Sequence, residues 1–149
     1  MNIYIGADHR GFVLKGKIKK FLADRGYHVV DVGTYERDVS CDYPKTALQV
    51  AKKVACDKQA RGIIVCMSGI GNSIVANKVK GIRAALCYNK TAARLSREHN
   101  DANVLALGSK FVTKKELYAI ITIWLKTPFE GGRHLRRVNQ IRSIERGLC

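Results

Sequence analysis

Three short clusters carry groups that can move protons or bind anions. The first is Gly6-Ala7-Asp8-His9-Arg10-Gly11, the second Cys66-Met67-Ser68-Gly69-Ile70-Gly71-Asn72-Ser73, the third His99-Asn100-Asp101. A thiol beside a helix start gains thiolate character, so Cys66 suits a nucleophile or a general base; a buried structural cysteine is the competing reading. Backbone N–H groups of the 69–73 turn can converge on an anion, or the segment is simply a tight turn. A dinucleotide fingerprint would need a third glycine and a later acid, but the chain has Ile74 and Asn89 there. The P-loop lysine pattern is also missing. His9 and His99 each follow an element; together at one sheet edge they suit acid–base or anion-binding work, whereas each by itself reads as a surface residue. His28 begins a strand without a partner, and His134 is helical and ambiguous. Arg133 and Arg137 lie four apart on one helix face, a pairing that suits a phosphate or a solvated basic surface.

The elements that must position these groups alternate along the chain. Asn2–Ile5, His28–Val32, Gly62–Cys66, Ile82–Leu86 and Asn103–Leu107 read as strands. Residues 11–25, a segment opened by Pro44, Gly69–Val79, 90–98, 114–126 and a final basic segment read as helices. The helix after Pro44 is expected to turn Ala47, Leu48, Ala51, Val54 and Ala55 inward. In the last helix Leu135, Val138, Ile141 and Ile144 recur at near-helical spacing. The run Gly62–Cys66 is apolar without alternation, as in a strand buried on both faces. Strand–helix alternation of this kind implies an α/β fold with a parallel sheet covered on both sides. A ligand then sits outside the carboxyl ends of the strands.

Composition narrows the class. The 149 residues are 46% hydrophobic and 26% charged, which fits one globular domain spanning 1–149 and argues against disorder. No apolar run approaches the ~20 residues of a membrane span. The chain enters a strand at once, with no basic and apolar leader, so a cytoplasmic protein is expected. Five cysteines without C-x-x-C spacing speak against a disulfide framework or a zinc site. The formal charge of +15 allows a nucleic-acid or phosphate partner, or merely a basic surface.

Nearly end to end, the chain resembles the type B ribose-5-phosphate isomerases, which share a superfamily with galactose-6-phosphate isomerase subunits. The resemblance rests on Gly6–Phe12, Asp31-Val32-Gly33-Thr34, Asp42-Tyr43-Pro44, Cys66–Ser73, Ala76-Asn77-Lys78, Gly81-Ile82-Arg83-Ala84, Ser96–Asn103 and Gly131-Gly132-Arg133-His134, in order. It implies a Rossmann-like three-layer α/β/α sandwich with a five-stranded parallel sheet and a C-terminal helix that packs on a partner subunit. It implies interconversion of ribose 5-phosphate and ribulose 5-phosphate through an enediolate, with no metal or nucleotide cofactor. It also implies a homodimer, or a tetramer of dimers, with sites shared between subunits. By motif, Cys66 would be the base, Ser68 would stand near the reacting oxygens, and His99 would help open the furanose ring. Asp8, His9, Tyr43, the turn Gly69, Ile70, Gly71, Asn72 and Ser73, and Asn100 and Lys110 would bind substrate. His9, Arg133 and Arg137 would take the phosphate, the arginines reaching into the partner's site.

Three departures stand out. Members usually read Cys-Gly-Thr-Gly where this chain has Cys66-Met67-Ser68-Gly69; Asn72 replaces a small apolar residue; Lys110 replaces an arginine and loses its bidentate fork. Met67 and Asn72 are the residues expected to reshape the pocket. A six-carbon substrate, allose 6-phosphate or galactose 6-phosphate, is therefore the first alternative. A non-catalytic phosphate- or nucleic-acid-binding protein is the second, disfavoured because Asp8, Cys66 and His99 are all present and no aromatic-basic platform is visible.

Overall fold

The computed structural model describes residues 1–147. The order is β1 (Asn2–Ala7), α1 (Phe12–Ala23), β2 (His28–Asp31), α2 (Tyr43–Cys56), β3 (Arg61–Cys66), α3 (Ile70–Ala76), β4 (Ala84–Leu86), α4 (Lys90–Asn100), β5 (Val104–Gly108), α5 (Lys114–Lys126) and α6 (Gly132–Glu145). The five strands form one parallel sheet in the order β2-β1-β3-β5-β4. Short β-branched and apolar runs make the strands, and the helices between them supply the right-handed crossovers that parallel pairing demands.

Side chains of a strand point alternately to its two faces, and here both faces are covered. On β3 and β5, Ile63, Val65, Leu105 and Leu107 join Ile18, Leu22, Leu117, Ile120, Ile121 and Trp124 in one core layer. Ile64, Val104 and Ala106 face the other way, against Ala47, Val50, Ala51, Val54 and Ala76. That two-sided burial is why no polar alternation shows in the strands.

Two expected helix faces differ in detail. On α2 the buried stripe is Thr46, Ala47, Val50, Ala51 and Val54, while Leu48 and Ala55 turn outward. Leu48 and Ala55 lie one residue round from Ala47 and Val54, and one residue is about 100° of helix. On α6 only His134 and Val138 are buried. Four apolar residues each three apart lag about 60° per step, so they spread around the helix instead of forming one buried stripe, and Leu135 and Ile144 fall outside it. Both are exposed. The helix read as Gly69–Val79 is regular only over Ile70–Ala76. Among the described residues no helix is long and apolar enough to cross a membrane.

Candidate active site

Strand order reverses direction between β1 and β3: the chain steps from β1 outward to β2, then back across to β3. The carboxyl ends of those two strands therefore diverge into a crevice, the preferred ligand position in such sheets. Asp8 is the first residue past β1 and Cys66 the last of β3. They share a cavity of about 580 Å³ with His9, Arg10, Tyr43, Met67, Ser68 and Gly71.

Cys66 is 5% exposed and forms part of the cavity's inner wall. Its Sγ accepts the Gly69 N–H at 3.1 Å. Its carbonyl accepts from Ser109 N–H (2.8 Å), and that of Met67 from Lys110 N–H (3.1 Å), so the loop after β5 pins the turn. Gly69 adopts φ +81°, a conformation that costs glycine little and other residues more. Ser68 Oγ accepts from Ile70 N–H (3.3 Å) at the start of α3. Tyr43 lies across Gly71 so closely that a Cβ there would come within 2.5 Å of its ring.

Asp8 is buried, and its Oδ1 accepts the Gly11 N–H at 2.8 Å, leaving Oδ2 for a ligand. His9 Nδ1 accepts from Cys41 N–H at 3.4 Å. The neutral tautomer that fits this bond carries its proton on Nε2, a donor for an anion. Cys41 is itself held by Thr34, with Oγ1 and Sγ 2.8 Å apart. Beneath that loop the buried Lys15 ammonium binds Asp31 Oδ1 (2.9 Å) and the carbonyls of Gly33 and Thr34, and Lys19 binds Asp31 Oδ2 (2.7 Å). Burial acts to raise the Asp31 pKa, but Lys19, Lys15 and the Gly33 N–H outweigh it and hold it below the usual value.

The structure separates the remaining expected residues from this cavity. His99 and Asn100 end α4, which returns the chain to the amino end of β5. His99 is therefore at the opposite sheet edge from Cys66, not beside His9 as its position after an element suggested. A helix crossover must bring the chain back to where a parallel strand begins. Asn100 lines a different groove with Arg83, Ala102 and Ile141. Arg133 and Arg137 are exposed on α6, at the same far edge. Lys110 is exposed in the loop after β5, and Ser73 bonds its own helix through Oγ to the Ile70 carbonyl (2.7 Å). Asn72 corrects a second expectation. Its side chain is 2% exposed, shares the buried stripe of α3 with Ala76, and does not line the cavity. Met67, 43% exposed, does line it, with its Sδ 3.9 Å from Arg10 Nη1.

Three contributions were not foreseen. Cys41 and Arg10 line the cavity, although Cys41 adjoins the recognisable Asp42-Tyr43-Pro44 segment and Arg10 follows His9. His134 stacks on His99 with ring centroids 4.1 Å apart and planes 5° from parallel. Burial, then the charges of His99 and Arg133, lower the His134 pKa against the opposing pull of Glu130. His99, Glu130 and His134 bring ligand atoms within 4.8 Å of one another. A ring nitrogen binds a metal in its own plane, and these two planes are parallel, so an ion could not lie in both without the stack opening.

Known proteins resemble this chain over nearly its whole length. Residues 3–141 match the family model described as Ribose/Galactose Isomerase. Ribose-5-phosphate isomerase B of Escherichia coli (strain K12) is 47% identical over 143 residues, covering 96% of this chain and 95% of its own. The solved ribose-5-phosphate isomerase B of Clostridium thermocellum is 50% identical, with a TM-score of 0.96 and full coverage of both chains. That of Mycoplasma genitalium, solved with bound ribulose-5-phosphate, is 44% identical, with a TM-score of 0.94 over 97% of this chain and 96% of its own. A thiol and a carboxylate at the β1/β3 crevice, in a chain matched over its length by such relatives, place this protein in the Ribose/Galactose Isomerase family.

Proposed function

We propose that the protein interconverts D-ribose 5-phosphate and D-ribulose 5-phosphate, an aldose–ketose isomerisation, with Cys66 as the base. The observation that carries this reading is the Cys66 sulfur in the wall of the β1/β3 crevice, hydrogen-bonded by Gly69 N–H and sharing the cavity with Asp8. The ligand named for the Mycoplasma genitalium structure is the ketose of this pair.

In the linear aldose, the Cys66 thiolate takes the proton from C2, and its electron pair forms the C1–C2 double bond of an enediolate. The same thiol returns the proton to C1, while a proton moves between the two oxygens. The developing oxyanion needs donors already in place; in the turn from Gly69 to Ser73 the N–H groups of Gly69, Ile70 and Ser73 are already engaged, and those of Gly71 and Asn72 at the start of α3 remain to meet it. Ser68 stands near the reacting oxygens and Asp8 Oδ2 holds hydroxyls. His9 meets the phosphate, whose binding positions the reacting carbons. The chemistry asks for no metal or nucleotide.

Ring opening and the rest of the phosphate site are assigned to a second copy of the chain. His99, Asn100, Arg133 and Arg137 lie at the far sheet edge, so one chain cannot assemble the site. The outer face of α6 leaves Leu135 and Ile144 exposed on an open groove. A homodimer that brings this edge to the partner's crevice supplies the missing groups, and a cytoplasmic, reducing setting suits the free thiols. Met67 adds side-chain volume to the cavity wall, so nothing here favours the larger six-carbon phosphates.

The test is a coupled assay on ribose 5-phosphate, with and without EDTA, beside Cys66→Ala. Turnover that survives EDTA and disappears in the variant is expected. A variant that keeps its turnover would remove Cys66 as the base.

A further inference from the structure

We infer that Tyr88 is a positioning residue for the Cys66 thiol, acting through the peptide between Ser68 and Gly69; its effect on turnover rests on Cys66 being the base. One planar peptide unit carries both ends of the connection. Its N–H, on Gly69, donates to Cys66 Sγ at 3.1 Å. Its carbonyl, on Ser68, accepts from the Tyr88 hydroxyl at 3.0 Å. The C=O and N–H of a trans peptide point in opposite directions on a rigid plane, so holding the carbonyl aims the amide. Among the described residues no other donor meets the Ser68 carbonyl.

The plane needs such a hold. It is followed by Gly69 at φ +81°, and glycine adopts either sign of φ readily. Rotation of this one peptide would turn the N–H away from the sulfur at little steric cost. The bonds from Ser109 and Lys110 fix the two preceding carbonyls, those of Cys66 and Met67, but not this one. Tyr88 supplies the remaining restraint from the carboxyl end of β4, beyond β5 from the turn: it lies two residues past β4. Its ring packs edge-on against Phe111, with centroids 5.7 Å apart and planes at 74°. Tyr88 does not line the cavity, so its hydroxyl acts on the sulfur and not on the substrate.

The chemical consequence follows from the sulfur's partner. A donated N–H stabilises the thiolate relative to the thiol. Losing the aim of that N–H therefore leaves less thiolate at a given pH. The Tyr88 bond is on the exposed side of the turn, where water can replace the hydroxyl as donor but cannot hold the plane. The expected effect is several-fold rather than complete.

Tyr88→Phe tests this, because it keeps the ring and its contact with Phe111 and removes only the hydroxyl. Alkylation by iodoacetamide is followed against pH at the Cys66 peptide by mass spectrometry, so Cys41 and Cys56 do not contribute. The alkylation rate near neutral pH is expected to fall roughly three- to tenfold, the size of one modest hydrogen bond. The rise of rate with pH is displaced to higher pH, and kcat on ribose 5-phosphate falls by a similar factor with KM nearly unchanged. Phe111→Ala, which loosens the ring but keeps the hydroxyl, should give a smaller loss of the same kind. An unchanged alkylation profile in Tyr88→Phe protein with a normal unfolding midpoint overturns the inference. A raised KM with unchanged kcat does so too. Turnover retained by Cys66→Ala would remove the base reading without altering the alkylation result, so the two failures are distinguishable.

Discussion

Cys66 and His99 stand at opposite edges of the same sheet. Cys66 closes β3, and His99 is the penultimate residue of the helix that leads into the amino end of β5. Five residue steps of strand put roughly 16 Å between the two edges. No side-chain rotation brings a thiol and an imidazole across that span to one sugar.

Subunit mixing tests the consequence. Cys66→Ala and His99→Asn are each expected to be weak or dead on ribose 5-phosphate. Mixed, unfolded and refolded together, they form hybrids in which one site keeps both groups. Recovery to about one quarter of parent activity is expected for random pairing in a two-fold dimer. No recovery in a mixture shown to contain hybrids would refute sites built from two chains.

The buried pair beneath the cavity loop makes a second prediction. Lys15 is 2% exposed and satisfies Asp31 and two carbonyls. Lys15→Met should lower the unfolding free energy by about 3 kcal/mol, the low end for breaking a buried pair, because Lys19 still faces Asp31. The pH dependence has a definite sign. The folded-state pKa of Asp31 lies below the unfolded value near 3.8, so its stabilisation is present above that pH and is lost as pH falls through the lower folded value. Denaturant unfolding at several pH values should show a smaller acid loss in the variant than in the parent. Equal acid losses would show that Lys15 does not set the Asp31 titration.

Asn72 yields a third. Its Oδ1 is buried without a hydrogen-bond partner. Replacing an unsatisfied polar group by an apolar one removes a desolvation penalty of about 1 kcal/mol. Asn72→Val should therefore raise the unfolding midpoint by roughly 2–4 °C. Its relative kcat/KM on five- and six-carbon phosphates should not change, because the side chain does not reach the cavity. A shift in that preference, read in parallel assays, would return Asn72 to the pocket.

Much of this protein was legible before folding was considered. Apolar runs such as Gly62–Cys66 and the helical periods between them determine a parallel α/β sheet, because only that arrangement buries such strands on both faces. That sheet in turn assigns Asp8 and Cys66 to strand ends, and the 69–73 turn to the start of a helix. Distances along the chain are blind to what tertiary packing then decided. The crossover of α4 sends His99 to the far edge. Loop packing brings Cys41 to His9, Lys15 under Thr34 and Tyr88 to the Ser68 carbonyl. Each of those relations joins elements far apart in sequence, where no local propensity acts and only the packed sheet sets the approach.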